Sequence, residues 1–309
     1  MTDLEVNILS TGFMCILYIV LGCIVCSFKI LNILLYCSKK TLFNKYTYMV
    51  ALEVGDFVNG ISYVYCGLGR GLGLWYGYIR EPTTLYDCFF GHYWVFLLIL
   101  GTELPAFCII LISFERVLAV VRPVTFMKLF DGRSKYLILS LVPILGLISI
   151  CVAGISAFQD GERVVSTRHC PIISSTSIWF ATYHFCMITV VYIFTFTALG
   201  IVKFKVHKMI SGSSYDNRIT MMMVITGASL LLVGSSAVVM LIIRYDIMHI
   251  SDTIVGITYS MPGILSIVNS VANLAFLSEL KHQLYRKLGM HADSKHILGS
   301  TFAHHTTHS

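Results

Sequence analysis

Long runs of apolar residues constrain this chain more than any other feature. Between Tyr93 and Leu111 the only acidic or basic residue is Glu103. A bilayer core about 30 Å thick takes roughly 20 apolar residues as a helix. The runs that meet this length predict an all-α membrane protein, a seven-transmembrane helix bundle over residues 11–277. The predicted spans are Thr11–Tyr36, Tyr46–Leu68, Cys88–Ser113, Tyr136–Phe158, Ser175–Val202, Thr220–Ile243 and Thr253–Leu277.

The composition narrows the class of protein further. Hydrophobic residues make up 56% of the chain and charged residues 12%, which is too little polar surface for a soluble protein of 309 residues. The predicted loops are short and leave no room for a second domain. Metal-ligand spacing, a phosphate-binding loop and a nucleophile elbow are all missing from the sequence, and the glycine-rich stretch 67–73 does not match the dinucleotide pattern. We therefore predict neither an enzyme nor a metal site.

Basic residues are distributed unevenly between the two sets of loops. Most of the 22 Lys and Arg residues fall in the loops after the first, third and fifth spans and after the seventh. Basic loops stay on the cytoplasmic side, so we expect the N-terminal segment 1–10 outside and the C-terminus inside. The anionic inner leaflet is then the partner of these charges, and the net charge of +6 does not call for nucleic acid.

The two ends of the chain have their own patterns. The first apolar run is too long for the h-region of a signal peptide, so we expect it to insert as a helix. After the last span, Leu280, Leu284 and Leu288 recur every four residues. This spacing predicts a short amphipathic helix, Glu279–Leu288, along the inner membrane surface, within a segment 278–289. The polar tail 290–309 is predicted to be disordered.

Two of the ten cysteines differ from the rest. Most cysteines lie inside predicted spans, where Cys behaves as a small apolar residue. Cys88 precedes the third span, and Cys170 lies in the loop before the fifth. Both would face an oxidising compartment, so they either form a disulfide or are two unrelated thiols.

Polar residues within several spans predict an interior cluster. Asp56 in the second span can meet Asn32 in the first span, and Asn269 and Asn273 in the seventh. Such a cluster binds a small cation or water, or it is a structural hydrogen-bond network. Glu53 shares a helical face with Asp56, and two ionised carboxylates there would repel each other. We expect one of them to be protonated or paired.

Glu103 lies thirteen residues before Arg116, about 20 Å of helix, and therefore near the middle of the bilayer. An acid at this depth either receives a ligand or makes a hydrogen bond between helices. His92 and His184 either line the same outer cavity or each pack against a neighbouring residue.

The third span ends in Glu115-Arg116, followed by Arg122-Pro123. An adjacent acid holds an arginine in one orientation, and breaking the pair frees the guanidinium for another partner. An ordinary polar helix end is the alternative interpretation.

Together, the seven spans, the Cys88 and Cys170 pair and the stretch "FERVLAVVRPVTF" (114–126) resemble rhodopsin-like G protein-coupled receptors. The Glu-Arg-x-x-Ala-Val-x-x-Pro form is most similar to the nematode chemosensory serpentine receptors. The resemblance covers roughly residues 11–290. It implies a receptor in the plasma membrane or sensory cilium, which senses a small molecule or odorant, activates a heterotrimeric G protein and can form a dimer.

The resemblance also implies roles for individual residues. Arg116 would be held by Glu115 in the inactive state and then engage the G protein, with Pro123 touching it as well. A sodium ion would bind near Asp56; no other cofactor is expected. The ligand would lie in an outer cavity whose predicted contacts are Phe96, Glu103, His184 and Tyr259.

Several positions depart from the family pattern. The seventh span reads "NSVANLAFL" (269–277) where the family usually has Asn-Pro-x-x-Tyr, and the sixth lacks the usual Trp-x-Pro. Only Gly227 and 234–236 offer flexibility in the sixth span. Two alternatives remain open: a receptor-like partner subunit that does not couple, and a seven-helix ion transporter or channel that uses Glu53, Asp56 and Glu103.

Overall fold

The computed structural model describes residues 8–130, 132–165, 168–209, 214–248 and 252–288. Within these ranges the chain is predominantly helical, and one small sheet joins two loops. The longer helices are α1 Ile8–Tyr36, α3 Thr47–Trp75, α5 Trp94–Val121, α7 Ser134–Gln159, α9 Ile178–Met209, α10 Ser214–Ser229, α11 Ser235–Arg244 and α12 Asp252–Phe276. The shorter helices are α2 Lys40–Lys45, α4 Leu85–Gly91, α6 Pro123–Phe130, α8 Ile172–Ser175 and α13 Ser278–Lys287.

In the described part of the chain, six helical stretches are long and apolar enough to cross a bilayer. They are Ile8–Tyr36, Trp94–Val121, Ser134–Gln159, Ile178–Val206, Ile219–Arg244 and Ile254–Phe276. The prediction of a helical, multi-pass membrane protein is confirmed at this level. The α3 helix has 29 residues, which is long enough, but Glu53, Asp56 and its many glycines make it more polar than the six.

The outer surface of the bundle suits hydrocarbon. Apolar side chains on α7 point away from the other helices; Leu137 is 74% exposed and Leu147 is 61% exposed. Large apolar residues on α1, such as Ile16, are exposed in the same way. In water such a surface would be costly, whereas in a bilayer it meets lipid tails.

The third predicted span begins and ends later than expected. The chain breaks at His92 and Tyr93, so Cys88 lies on the separate short helix α4, and α5 starts at Trp94. At the other end, α5 continues to Val121. Glu115 and Arg116 therefore lie within the last turns of the helix. The segment after it, predicted as a loop, is the helix α6.

Other helix boundaries differ from the predicted ones by a few residues. The glycine-rich stretch 67–73 lies inside α3, which extends to Trp75 instead of ending at Leu68. The helix after the last span is Ser278–Lys287, one residue earlier than predicted. The predicted outer segment 1–10 falls partly on the first turn of α1 and otherwise outside the described residues, as does the predicted tail 290–309.

Glycines bring α1 and α3 into close contact. A Cβ added to Gly22 would lie 2.7 Å from the Gly60 carbonyl oxygen, and one added to Gly67 would lie 2.7 Å from the Cys15 carbonyl oxygen. These backbones can approach this closely only because the glycines carry no side chain. The close packing holds the polar face of α3 against α1.

The sixth predicted span is interrupted by a π-helical segment, Leu230–Gly234, between α10 and α11. A π turn widens the backbone locally and is often found at functional sites. Gly234 and the serines that follow it are the positions where the sequence suggested flexibility.

Candidate functional site

A small cavity lies between helices α3, α5, α9, α11 and α12. Its volume is about 30 Å³, which is room for no more than a few water molecules. Among the described residues that line it none is charged. The lining residues are Tyr63, Leu98, Thr102, Ile172, Phe185, Ile188, Val233, Ser236, Ala237, Met240, Thr258, Tyr259 and Pro262.

The loop before α9 closes one end of this cavity. Ile172 from α8 lines it, and two residues earlier Cys170 forms a disulfide with Cys88, with Cα atoms 5.2 Å apart. The Trp94 indole N–H donates a hydrogen bond to the Cys170 carbonyl oxygen at 3.3 Å. The strands β1 Thr83–Thr84 and β2 Val164–Val165 pair antiparallel in the same region. The loop is thus fixed across the cavity by covalent and hydrogen bonds.

Arg70 ties the same loop to α3. Its Nε–H donates to the His169 carbonyl oxygen at 2.7 Å, although Arg70 is only 9% exposed. Burial, and secondly the charge of the nearby Arg70 guanidinium, lower the pKa of His169 from 6.5 to about 4.

This shift predicts acid sensitivity. The unfolded chain binds a proton at His169 near pH 6.5, whereas the folded chain does not bind it until about pH 4. The contribution of His169 to the free energy of unfolding should therefore be constant above pH 6.5, and stability should fall as the pH drops towards 4. We expect His169→Gln to flatten this dependence in thermal unfolding of the purified protein. The same substitution at the exposed His282 should leave it unchanged, and equal effects at both positions would contradict the assignment.

Of the four predicted ligand contacts, only Tyr259 lines the cavity. Phe96 packs edge-on against Phe89, with ring centroids 4.8 Å apart. Glu103 and His184 are fully buried beside each other. These three residues do not line the cavity, because a polar or aromatic residue at the right depth does not have to face it, and as ligand contacts they stay predictions.

Glu103 is used in contacts between helices. Its Oε1 lies 2.7 Å from His184 Nδ1 and accepts a hydrogen bond from the Ser149 hydroxyl at 2.8 Å. The other ring nitrogen of His184 lies 3.3 Å from the Thr102 hydroxyl oxygen. The acid thus connects α5, α7 and α9. Of the two interpretations, the geometry matches the contact between helices, and Thr102 and Phe185 link this cluster to the cavity.

A second buried cluster is centred on Lys29, which sequence reasoning did not assign. Its Nζ lies 3.0 Å from Glu53 Oε2 and 2.8 Å from Asp56 Oδ2, and Lys29 is fully buried. One ammonium therefore bridges both carboxylates. We expected one of the two acids to be protonated or paired, and both are paired with Lys29.

The predicted asparagines complete this core cluster. Asn32 donates to Glu53 Oε1 at 3.2 Å, and the side-chain amide of Asn273 donates to the same oxygen. Asn269 donates to Asp56 Oδ2 at 3.3 Å. The cluster joins α1, α3 and α12. Asn32 and Asn273 reach Glu53, whereas we expected them to meet Asp56.

The sodium ion that the resemblance implied does not fit here. A cation bound by both carboxylates would occupy the place of the Lys29 ammonium. For a cation bound beside it, about 4 Å away, repulsion by the ammonium of about 4 kcal/mol at an effective dielectric constant of 20 would offset the attraction of one of the two carboxylates. We derive no step through such an ion.

At the opposite end of α5, Arg116 is held loosely. One of its terminal nitrogens lies 3.5 Å from Glu115 Oε2, and the two side chains are 14% and 15% exposed. Its Nε–H has no acceptor among the residues that the structure describes. Pro123 begins α6 just beyond the end of α5. Arg116 thus retains donors for a further partner.

Apolar side chains close the bundle at this end. Val202 and Val206 on α9 and Ile219 on α10 are buried together, and Val117 and Val120 on α5 pack against them. The Lys203 ammonium donates to the Thr220 hydroxyl at 2.6 Å and links α9 to α10. A partner that inserts here would have to separate these helices.

Comparisons with known proteins do not assign this chain to a family. No protein-family model matches the chain, and no curated protein matches it significantly. The functional argument therefore rests on the residues and their geometry.

Proposed function

We propose that this chain is a seven-transmembrane G protein-coupled receptor similar to the nematode chemosensory serpentine receptors. It senses a small molecule or odorant and activates a heterotrimeric G protein. In this proposal α3 also crosses the membrane, as the second of seven spans, and α13 is an eighth helix on the inner surface of the plasma or ciliary membrane. The N-terminus lies outside and the C-terminus in the cytoplasm.

One observation carries the proposal: α5 connects a covered cavity with a loosely held arginine. Leu98 and Thr102 line the cavity, and Arg116 follows Thr102 by fourteen residues, or about 20 Å of helix. A rearrangement of α5 at the cavity would therefore also move the Arg116 end of the helix, where α5, α9 and α10 pack through apolar side chains. That is the layout needed for a ligand on one side of a membrane to act on a protein on the other.

The size of the cavity suggests how a ligand would act. About 30 Å³ is much less than the several hundred Å³ that an organic ligand usually fills, so binding requires the surrounding helices to move apart. A ligand that favours the expanded arrangement shifts the population towards it. The π-helical segment, which contributes Val233 to the lining, is one place where α10 and α11 can adjust.

The lining also indicates the ligand class. It is apolar apart from the hydroxyl groups of Tyr63, Thr102, Ser236, Thr258 and Tyr259. Glu103 and His184 are turned to each other instead of the cavity. The ligand is therefore a neutral, mainly apolar molecule with few hydrogen-bonding groups. The test is a screen of neutral volatile compounds against charged analogues, with G protein dissociation recorded in cells that express the chain at their surface.

Filling the cavity should weaken the response to any active compound. Ala237 is 3% exposed and lines the cavity, so Ala237→Val adds two methyl groups where the ligand would lie. We expect the half-maximal concentration to rise about tenfold, equivalent to roughly 1.4 kcal/mol. The neighbouring Val238 is 45% exposed on the outer surface, and Val238→Ala should leave the response unchanged at matched surface expression. Equal effects of the two variants would contradict this ligand site.

The transporter alternative has less support. Glu53 and Asp56 are both paired with Lys29, and Glu103 is paired with His184. These contacts place the three acids in two separate clusters, each provided with internal partners. A proton or ion path would need groups that exchange their partners along one continuous lumen.

A further inference from the structure

Lys29 takes the position that a bound metal ion would have in the core cluster of Lys29, Asn32, Glu53, Asp56, Asn269 and Asn273. Its ammonium contacts both carboxylates, at 3.0 and 2.8 Å, from a fully buried position. The carboxylates come from one face of α3 and the ammonium from α1. The cation of this site is thus supplied by the chain itself.

The rest of the core cluster has the chemistry of a cation site. The amide oxygens of Asn32, Asn269 and Asn273 have no hydrogen-bond donor among the described residues. Together with the two carboxylates they give the cluster buried oxygen atoms from five side chains. Carboxylate and amide oxygens are the ligands that hard cations prefer.

We propose that Lys29 is a covalently attached replacement for a dissociable cation. The core cluster of the native chain then needs no ion from solution, and its stability does not respond to sodium. Removal of the ammonium leaves Glu53, Asp56 and the three amide oxygens as a site for a monovalent metal cation such as Na⁺. This inference concerns the folded core and does not depend on coupling to a G protein.

The first arm of the test uses the native sequence. The full chain, purified in lipid nanodiscs, is unfolded thermally in NaCl and in N-methylglucamine chloride at equal ionic strength. The expected result is the same midpoint in both salts. A midpoint that is higher in Na⁺ would overturn the proposal, because an open cation site would then exist beside Lys29.

The second arm removes the ammonium. In Lys29→Met we expect a midpoint that rises with Na⁺ by about 2–4 °C or more and stays constant in N-methylglucamine chloride. If the single variant does not fold, the double variant Lys29→Met/Glu53→Gln replaces it, because it keeps the net charge of the cluster. Its midpoint should rise with Na⁺ in the same way. Adding Asp56→Asn should abolish the response. A folded Lys29→Met variant, or a folded charge-matched double variant, that ignores Na⁺ would overturn the latent site. If neither folds, the native arm decides.

Discussion

In sodium-free buffer, Lys29→Met is expected to destabilise the bundle by about 3–5 kcal/mol, the usual effect of removing one partner from a buried ion pair. Methionine has a similar length, so the change removes mainly the positive charge. Glu53 and Asp56, 0% and 2% exposed, would then lie close together without a cation, and the described asparagine amides would donate the remaining hydrogen bonds. The measurement is the midpoint of thermal or denaturant unfolding of the purified chain.

The same substitution at Lys45 provides the matched control. Lys45 also pairs with an acid, Glu279, but the two side chains are 40% and 42% exposed. Exposed pairs contribute about 0–1 kcal/mol, so Lys45→Met should change the midpoint little. If the two variants are equally stable, the Lys29 ammonium does not hold the core cluster together as the distances indicate.

Arg116→Gln is expected to reduce G protein activation to the background level while leaving surface expression unchanged. Glutamine cannot offer the planar, charged fork that binds a carboxylate or carbonyl group of a partner. Arg116 is near the surface and contributes to no described buried ion pair other than the long contact with Glu115, so the fold should tolerate the change. The readout is G protein dissociation in cells, normalised to receptor at the surface.

The matched control for this variant is Arg133→Gln. Arg133 is exposed at the start of α7 and carries the same charge on a neighbouring part of the proposed inner surface. A loss of signalling that is equal in the two variants would indicate a general effect of charge and would argue against a specific role for Arg116.

Hydropathy predicted the helical membrane fold because span length and apolarity are local properties of the chain. It did not locate the break before Trp94, since a single histidine, His92, without a proline or a glycine pair does not mark the end of a helix. Pro105, by contrast, lies inside α5 without ending the helix. Tertiary contacts, among them the disulfide on α4 and the indole hydrogen bond to Cys170, decide these boundaries.

The core cluster could be predicted only in part. Asn32, Asp56, Asn269 and Asn273 were expected to meet, but no partner was assigned to Lys29. A signal was present: Lys29 and Asn32 are three residues apart and share a helical face. The two acids on one face of α3 required a cation, and Lys29 was the basic residue inside the first span.

The cavity could not be predicted from residue type. Glu103 and His184 were attractive as ligand contacts because buried ionisable groups often serve function. Their partners lie on other helices, at positions that only the packing determines. The residues that line the cavity, such as Ala237 and Thr258, are too ordinary in a membrane helix to stand out.

The most direct test of the receptor proposal needs no ligand. Wild type, Glu115→Gln and the double variant Glu115→Gln/Arg116→Gln are placed in lipid nanodiscs, and nucleotide exchange is measured on purified heterotrimers of each major G protein class. Releasing Arg116 from Glu115 should raise basal exchange on at least one heterotrimer severalfold above wild type, and the double variant should return it to the rate of the heterotrimer alone. If all three proteins leave the exchange rate of every heterotrimer unchanged, the chain does not couple through Arg116 and the proposed function is contradicted.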